Sequence, residues 1–231
     1  EAYSEIKEIF GKGKPALLHG VTGSGKTEIY LKLARETLAR GKNVLYLVPE
    51  IALSRQLEDR ISELFPEELL VFHSGETMSR KRETASVLRS CGDAGRRCLV
   101  LGTRSAIFLP HKDLGLVIID EEHDTSYKQD SPAPRYNGRE TAIMMARIFA
   151  ADVILGSATP SLESLYNCSV GRYGLVTLSK RYYDAADSDI EIIDTIAERR
   201  KNGMVGSFSR KLIDRVNHCL SLRRQVLILR E

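Results

Sequence analysis

The sequence predicts an α/β fold in which a mainly parallel sheet is flanked by helices. Short apolar runs rich in β-branched residues alternate with amphipathic segments, which is the pattern of buried parallel strands joined by crossover helices. A glycine-rich segment follows the first apolar run, and an acidic cluster follows the fifth. Such placement is typical of ligand sites at the carboxyl edge of an open α/β sheet.

Six apolar runs are predicted to be strands. They are residues 16–18, 44–48, 69–72, 99–101, 116–119 and 153–155. Between the first two runs, Leu31, Ala34 and Leu38 fall on one stripe of a helix. Gly41 stands where the C-terminal cap of that helix belongs. The chain therefore begins with a strand, a loop, a helix and a second strand.

A second, shorter unit is predicted because residues 182–189 interrupt the pattern with Asp, Ala and Ser. We expect residues 1–180 to form one lobe and residues 181–231 to begin another. The elements predicted in the second unit are a strand at 190–193, a helix capped by Ser209 that carries Ile213, Val216 and Leu220 on one face, and a strand at 225–229. So short a segment cannot complete a doubly wound sheet, so the second lobe is expected to be truncated.

The composition, with 42% hydrophobic and 28% charged residues, is that of a soluble globular protein. No apolar run approaches the roughly 20 residues of a membrane-spanning helix, and the first residues lack the order of a signal peptide, so a cytoplasmic location is expected. The net charge of +3 is too small to indicate nucleic-acid binding by itself. Cys91, Cys98, Cys168 and Cys219 form no C-x-x-C pair, so we expect reduced thiols and no zinc site.

Residues 20–27 match the P-loop pattern G-x-x-x-x-G-K-[ST], and they lie between a predicted strand and a predicted helix. The backbone N–H groups of such a loop and the N-terminus of the following helix bind phosphate oxygens. Lys26 is expected to reach the β- and γ-phosphates, and Thr27 to bind Mg²⁺. The residues expected to bind the nucleotide are Gly20, Thr22, Gly23, Ser24, Gly25, Lys26 and Thr27. The pattern alone does not distinguish helicases from kinases, GTPases or transport ATPases.

The acidic cluster Asp120, Glu121, Glu122 and His123 directly follows the fifth predicted strand. Asp120 is expected to hold Mg²⁺, and Glu121 to orient and polarise the attacking water. Because adjacent carboxylates repel each other, their clustering indicates a bound cation. The alternative is a set of solvated acids at the start of a helix. We expect the catalytic residues to be Lys26, Asp120, Glu121 and His123, although His123 can also be read as a structural histidine.

The acidic cluster resembles the DEAH-type motif II of superfamily 2 helicases, although Glu122 stands where many helicases outside the most similar family carry Ala, a difference that should leave the chemistry of Asp120 and Glu121 intact. Three further segments resemble motifs of these helicases in the expected order: 47–53 resembles motif Ia, 102–106 motif Ib and 156–161 motif III. Residues 18–28, 73–75 and 156–161 are more closely similar to the PriA family of primosomal replication-restart helicases. The resemblance runs over almost the whole chain and implies a RecA-like P-loop NTPase lobe followed by the start of a second.

This resemblance also implies a function, which composition and spacing do not give. It implies ATP and Mg²⁺ as cofactors, and 3′ to 5′ translocation on single-stranded DNA with unwinding at stalled forks. It further implies a monomeric, bacterial cytoplasmic protein that works with single-stranded DNA-binding protein and primosome proteins. Members of the family carry a DNA-binding region before this part, and zinc-binding cysteines and motifs IV to VI after it.

Several residues are expected to reach DNA or to couple DNA to hydrolysis. The segment 124–138 resembles the aromatic-rich loop of the family, in which tyrosines stack on bases and cations bind phosphate. The alternative is that its tyrosines pack the loop onto its own domain. The expected DNA contacts are Pro49, Arg55, Thr103, Arg104, Tyr127, Lys128, Arg135 and Tyr136. Ser157 and Thr159 are expected to link loss of the γ-phosphate to lobe movement, unless their turn is an ordinary helix cap.

Two other functions remain open from the sequence. One is a superfamily 2 translocase that moves on duplex DNA without separating the strands. The other is a non-catalytic nucleotide- or DNA-binding module, because the second-lobe arginine that accelerates hydrolysis in such enzymes is not found in this chain. We therefore expect the isolated 231-residue chain to bind nucleotide weakly and to turn it over slowly.

Overall fold

A computed structural model of the chain describes residues 1–50, 52–91, 95–179 and 190–229. The chain divides into two compact units, Glu1–Asp184 and Ala185–Glu231. The predicted lobe boundary after residue 180, the predicted break at 182–189, and Ile51 of the predicted motif Ia lie outside the described residues.

The first unit alternates strands and helices as predicted. Its strands are β1 (Ala16–Gly20), β2 (Asn43–Leu47), β3 (Leu69–Phe72), β4 (Leu99–Gly102), β5 (Leu114–Ile119), β6 (Lys128–Gln129), β7 (Tyr136–Asn137), β8 (Asp152–Ser157) and β9 (Gly174–Leu178). Its helices are α1 (Ala2–Gly11), α2 (Lys26–Ala39), α3 (Arg55–Leu64), α4 (Met78–Ser90), α5 (Gly138–Phe149) and α6 (Leu162–Ser169). Two 3₁₀ turns span Arg104–Phe108 and Thr125–Tyr127.

Seven strands form one parallel sheet in the order β3-β4-β2-β5-β8-β1-β9. All six predicted strands are present, so the α/β prediction with a parallel sheet flanked by helices is confirmed. The seventh strand, β9, was missed because it lies at the sheet edge and only Val176 of its five residues is buried. An edge strand with one buried residue does not produce the continuous apolar run of a central parallel strand.

Successive residues of the central strands pack on opposite faces of the sheet. Leu18, Tyr46 and Ile118 lie on the face covered by α1, α2 and α3. Leu17, Leu45 and Val117 lie on the face covered by α4 and α5. The predicted stripe on α2 is buried, and Gly41 adopts a φ of +77° just after the helix, which is the conformation of a C-terminal glycine cap.

In the second unit, the described elements are α7 (Thr195–Arg200), β10 (Met204–Val205), β11 (Phe208–Ser209) and α8 (Arg210–Ser221). The predicted cap of α8 is confirmed, because the Ser209 hydroxyl accepts a hydrogen bond from the Leu212 N–H at 3.1 Å. The predicted strands at 190–193 and 225–229 are wrong, since neither forms a strand. Ile192 is 90% exposed and Leu227 is 94% exposed, so these apolar runs lack the neighbours that a buried strand requires.

Two of the cysteines differ from the prediction of reduced thiols. Cys91 follows the end of α4, Cys98 precedes β4, and the two form a disulfide with a Cα to Cα distance of 6.6 Å. The two cysteines are seven residues apart and lack C-x-x-C spacing, so the sequence pattern did not reveal that they approach each other. Cys168 and Cys219 are free thiols. Within the described ranges, no helix has the length and apolarity needed to cross a membrane.

Candidate functional site

The four central strands of the sheet carry the predicted motifs at their carboxyl ends. In spatial order these strands are β2, β5, β8 and β1. The P-loop segment follows β1, the acidic cluster follows β5, and the motif III segment overlaps the end of β8. Because the strands are parallel, three segments that are distant in sequence meet at one edge of the sheet, where ligands bind in open α/β folds.

The phosphate loop turns directly from β1 into α2. Gly25 caps the helix with a φ of +88°, a left-handed conformation that favours glycine. Lys26 begins α2 and is only 8% exposed, and its ammonium group donates hydrogen bonds to the carbonyls of Gly20 at 2.7 Å and Val21 at 3.4 Å. The loop therefore holds its cation against its own backbone, beside the N-terminus of a helix that favours bound anions.

A cavity of about 590 Å³ joins the phosphate loop to the acidic cluster. Its lining comes from residues 22–28, Arg60, Asp120 and Glu121. Lys26, Asp120 and Glu121, which the sequence predicts to act on one bound nucleotide, thus line one cavity. Arg60, from α3, was missed by the sequence analysis; its guanidinium pairs with Glu28 of α2, a contact that no local motif indicates.

The environment of Asp120 suits a divalent cation. Burial raises the pKa of its carboxyl group, the neighbouring Glu121 carboxylate raises it further, and a Tyr30 hydrogen bond and the Lys26 charge oppose the rise. Two adjacent carboxylates and the Thr27 hydroxyl offer the oxygen ligands that Mg²⁺ prefers, and Mg²⁺ characteristically takes only one or two carboxylates beside substrate phosphates. No cluster of three or more His, Cys, Asp or Glu residues in the described chain could hold a metal by itself.

Glu121 turns the chain sharply at the end of β5. It adopts a φ of +45°, which is uncommon for a residue other than glycine. Its N–H donates a hydrogen bond to the Asp120 carboxylate at 3.1 Å. The turn places the Glu121 carboxylate on the lining of the cavity, next to that of Asp120.

His123 connects the acidic cluster to the motif III segment. Its Nδ1 lies 2.8 Å from the Ser157 hydroxyl, and its Nε2 lies 3.3 Å from the Thr159 hydroxyl. The Ser157 hydroxyl oxygen also accepts a hydrogen bond from the Thr159 N–H at 2.9 Å. The residues expected to act in coupling are therefore in contact with the histidine expected to act in catalysis.

Glu122 lies at the centre of a buried polar network that sequence reasoning missed. Its carboxylate accepts hydrogen bonds from the Arg139 guanidinium at 2.7 Å and from the Ser161 N–H at 2.7 Å. It also accepts from the hydroxyls of Ser161 at 2.9 Å and Ser164 at 2.8 Å. Glu122 thereby joins the acidic cluster to α5 and to the start of α6. Its partners lie 17 to 42 positions away in the sequence, so no local motif indicates the network.

Three of the expected DNA contacts are buried in this structure. Tyr127 and Thr103 are each 2% exposed, and Pro49 is buried at the end of β2. The Tyr127 hydroxyl donates to the Asp120 carbonyl at 2.7 Å, so this ring packs onto its own domain and cannot stack on a base. The order of helicase motifs along the chain does not indicate which of their side chains face inward.

Arg104 also serves an internal role. Its guanidinium donates to the carbonyls of Ser126 at 2.7 Å and Lys128 at 3.1 Å, and it lies 3.9 Å from the Glu50 carboxylate. These contacts fix the base of the β6-β7 hairpin to the 3₁₀ turn after β4. The contact of Arg104 with the DNA backbone stays a prediction, and its guanidinium is held by the hairpin in this structure.

The remaining expected DNA contacts are accessible. Arg55 is exposed at the start of α3, Arg135 is exposed on the connection between β6 and β7, and Lys128 forms an exposed ion pair with Asp130 at 3.3 Å. Tyr136 packs edge-on against Phe108, with ring centroids 5.0 Å apart. Phe108 is 63% exposed and was missed, because it lies beyond the segment that resembles motif Ib.

Comparison of the sequence with known proteins identifies helicase relatives. The DEAD/DEAH box helicase family matches residues 2–168. The replication restart protein PriA of Rickettsia felis is 45% identical over 216 residues, which cover 93% of this chain and 32% of that protein. The replication restart protein PriA of Bacillus subtilis is 39% identical over 230 residues, which cover 98% of this chain and 28% of that protein. The chain thus spans about a third of the length of these curated relatives.

Solved structures of helicases share the fold. RecG bound to a three-way DNA junction matches with a TM-score of 0.56 and 26% identity, over 80% of this chain and 24% of that chain. A DEAD box protein from Methanococcus jannaschii matches with a TM-score of 0.51 and 19% identity, over 76% of this chain and 48% of that chain. The parallel sheet with its flanking helices is therefore the RecA-like domain that such proteins contain.

Proposed function

The chain belongs to the DEAD/DEAH box helicase family of nucleotide-hydrolysing enzymes, and from this premise we propose that it is the ATP-binding lobe of a replication-restart DNA helicase. In this proposal, ATP hydrolysis drives 3′ to 5′ movement on single-stranded DNA and unwinding at stalled forks. Its support is the similarity to PriA proteins at 39% to 45% identity. The bacterial cytoplasm, a monomeric state, and work with single-stranded DNA-binding protein and primosome proteins belong to the same proposal.

The observation that carries the proposal is the shared cavity of the phosphate loop and the acidic pair. The Lys26 ammonium group binds the β- and γ-phosphates, while backbone N–H groups of residues 22–27 bind the remaining phosphate oxygens. Thr27 and Asp120 hold Mg²⁺, which neutralises charge on the phosphates when it is bound. Glu121 orients a water molecule for attack and accepts its proton.

DNA is proposed to bind at the surface formed by the β6-β7 hairpin and the exposed face of Phe108. Lys128 and Arg135 supply positive charge for phosphates, and the Phe108 and Tyr136 rings supply faces on which bases stack. The hairpin follows Tyr127, whose hydroxyl is bonded to the Asp120 carbonyl. A displacement of the hairpin by DNA would therefore be transmitted to the backbone of the Mg²⁺ ligand.

A second route of coupling passes through His123. We expect His123→Ala to lower the number of base pairs unwound per ATP hydrolysed about tenfold, equivalent to losing a hydrogen bond of about 1.4 kcal/mol. The affinity for nucleotide should stay within about twofold, because the phosphate loop is unchanged. Strand-separation and ATPase assays on the same preparation measure the ratio. Ser157→Ala removes the other partner of the contact and should act in the same direction; a normal ratio in either variant contradicts this coupling role.

The alternative of a duplex translocase has one specific observation in its favour, the likeness to RecG bound to a three-way DNA junction. A strand-displacement assay on a forked substrate detects unwinding, whereas displacement of a third strand from a triplex detects movement along intact duplex. Strand displacement supports the helicase proposal. Triplex displacement without strand displacement supports the translocase.

ATPase measurements of the full-length protein test the proposed function directly. Turnover is measured with single-stranded, duplex and forked DNA, each at two salt concentrations. We expect single-stranded and forked DNA to stimulate turnover most, and the stimulation to weaken with salt, because phosphate contacts release counterions. Turnover that no DNA changes at either salt concentration contradicts the proposal.

The isolated 231-residue chain is expected to hydrolyse ATP slowly, even though it contains the cavity. An arginine supplied from outside a P-loop site contributes roughly 10³ to 10⁵ in rate, and no arginine of this chain was assigned that role. Turnover of the purified chain with and without single-stranded DNA measures this. DNA-stimulated turnover equal to that of the full-length protein contradicts the expectation.

A further inference from the structure

Three buried tyrosine hydroxyl groups surround Asp120. Tyr30 donates to carboxylate Oδ1 at 3.1 Å, and Tyr46 to carboxylate Oδ2 at 3.4 Å. Tyr127 donates to the backbone carbonyl of the same residue at 2.7 Å. Tyr30 and Tyr46 are completely buried, and neither was assigned a role by the sequence motifs. Each oxygen of the Asp120 carboxylate thus has its own tyrosine donor.

The two carboxylate donors are held rigidly by different parts of the fold. Tyr30 lies in α2, one turn after the phosphate loop, and Tyr46 lies in β2, next to β5 in the sheet. Their rings pack edge-on, with centroids 5.8 Å apart and planes at 77°. Because edge-on aromatic pairs are favourable and both rings are enclosed, each ring restricts the movement of the other. The hydroxyls therefore meet Asp120 at fixed positions.

The strand on the far side of Asp120 makes room for this arrangement. A Cβ atom on Gly156 would lie 1.5 Å from the Tyr30 hydroxyl oxygen and 3.4 Å from Asp120 Oδ1. Any side chain at this position of β8 would displace the hydroxyl from the carboxylate. The absence of a side chain at Gly156 is thus a requirement of the contact between Tyr30 and Asp120.

Packing alone does not explain the two hydroxyls. A buried hydroxyl is costly unless it is hydrogen-bonded, and phenylalanine rings would fill the same space without that cost. Both hydroxyls instead donate hydrogen bonds to the Asp120 carboxylate, which is a Mg²⁺ ligand in the proposed function. A carboxylate has about four lone-pair directions, two on each oxygen. Tyr30 and the Glu121 N–H occupy those of Oδ1, and Tyr46 occupies one of Oδ2, so a direction on Oδ2 is left for the metal.

We propose that Tyr30 and Tyr46 are positioning residues for Mg²⁺, and that their hydroxyls hold the Asp120 carboxylate in the orientation that binds the metal together with nucleotide. Hydrogen bonds to a ligating carboxylate fix its direction, and loss of such a bond weakens metal affinity about 10- to 100-fold. This inference rests on the proposed function, because it requires that the cavity binds nucleotide with Mg²⁺.

The test compares Tyr30→Phe and Tyr46→Phe with the unchanged full-length protein. Binding of a fluorescent ATP analogue is titrated with Mg²⁺, and the half-saturating Mg²⁺ concentration is measured. We expect a rise of about tenfold for Tyr30→Phe, the lower end of the range for such contacts, and a smaller rise for Tyr46→Phe, whose contact is longer. Binding of the analogue without Mg²⁺ should stay unchanged, because the phosphate loop is intact.

Tyr3→Phe is the control. It also removes a tyrosine hydroxyl that donates to a carboxylate, but that carboxylate belongs to Glu36, which does not line the cavity. Its half-saturating Mg²⁺ concentration should remain near that of the unchanged protein. An equal rise in all three variants overturns the inference, since it indicates a general loosening of the site. Thermal melting identifies folded variants, and Tyr46→Phe carries the test if Tyr30→Phe does not fold.

The outcomes separate this inference from the proposed function. If the unchanged protein shows no Mg²⁺-dependent binding of the analogue, the proposed function fails first. If it shows that dependence and both carboxylate-facing variants match it, only the positioning role of the tyrosines is overturned.

Discussion

Lys26→Ala is expected to lower the ATPase rate of the full-length protein at least about 100-fold, because removal of one preorganised donor to a transition-state anion commonly costs 10² to 10³ in rate. The ammonium group is nearly buried at the start of α2 and lines the cavity shared with Asp120 and Glu121. No other lysine lines that cavity within the described residues. Steady-state ATPase with saturating single-stranded DNA measures the loss.

Lys32→Ala provides the control for this variant. Lys32 lies on the same helix but faces the Tyr3 ring, with its ammonium nitrogen 4.0 Å from the ring centroid, and it does not line the cavity. Its removal should leave the ATPase rate within about twofold of the unchanged protein. A Lys26→Ala protein that keeps its full DNA-stimulated ATPase rate contradicts the assignment of residues 20–27 as the phosphate site.

Glu122→Ala is expected to lower the free energy of unfolding by about 3–5 kcal/mol, because it removes the buried partner of the Arg139 charge and leaves only the half-exposed Glu140 carboxylate. The side chain of Glu122 is 0% exposed and that of Arg139 is 9% exposed. Two serine hydroxyls and one backbone N–H lose an acceptor in the same change. In a unit of this size the loss corresponds to a fall in melting temperature on the order of 10 °C. Urea and thermal unfolding of the full-length protein measure it.

Glu140→Ala tests whether burial causes this effect. Glu140 also bonds to Arg139, at 2.8 Å, but its side chain is 51% exposed. An exposed ion pair contributes about 0–1 kcal/mol, so this variant should unfold close to the unchanged protein. Equal destabilisation by the two variants would contradict burial of the Glu122–Arg139 pair as the cause of the effect.

The elements that the sequence predicted correctly are those whose signal is local. Central strands such as β5 are buried on both faces and read as continuous apolar runs, and the phosphate loop has a pattern that its backbone geometry requires. Edge strand β9 lacks that signal. The apolar run at 225–229 has the signal but lacks neighbouring strands, and it does not form a strand. An apolar run therefore predicts a buried strand only where neighbouring strands are present to cover it.

The parts of the site that the sequence did not predict are contacts between distant residues. Glu122 and Ser164 are 42 residues apart, and Tyr30 and Asp120 are 90 residues apart. Tyr127 was placed in a DNA-facing segment by its position after the acidic cluster, although its ring points into the core. Motif order indicates which segments meet at the sheet edge, whereas the side of each segment that faces inward depends on packing.

The most direct test of the account is a crystal structure of the protein with a non-hydrolysable ATP analogue and Mn²⁺, whose anomalous scattering locates the metal. The account predicts phosphates against the N-terminus of α2 and the Lys26 ammonium group, with the metal between Thr27 and Asp120. Phosphates bound elsewhere on the molecule, or Lys26 and Asp120 facing different ligands, would contradict the central claim that these groups act on one bound nucleotide.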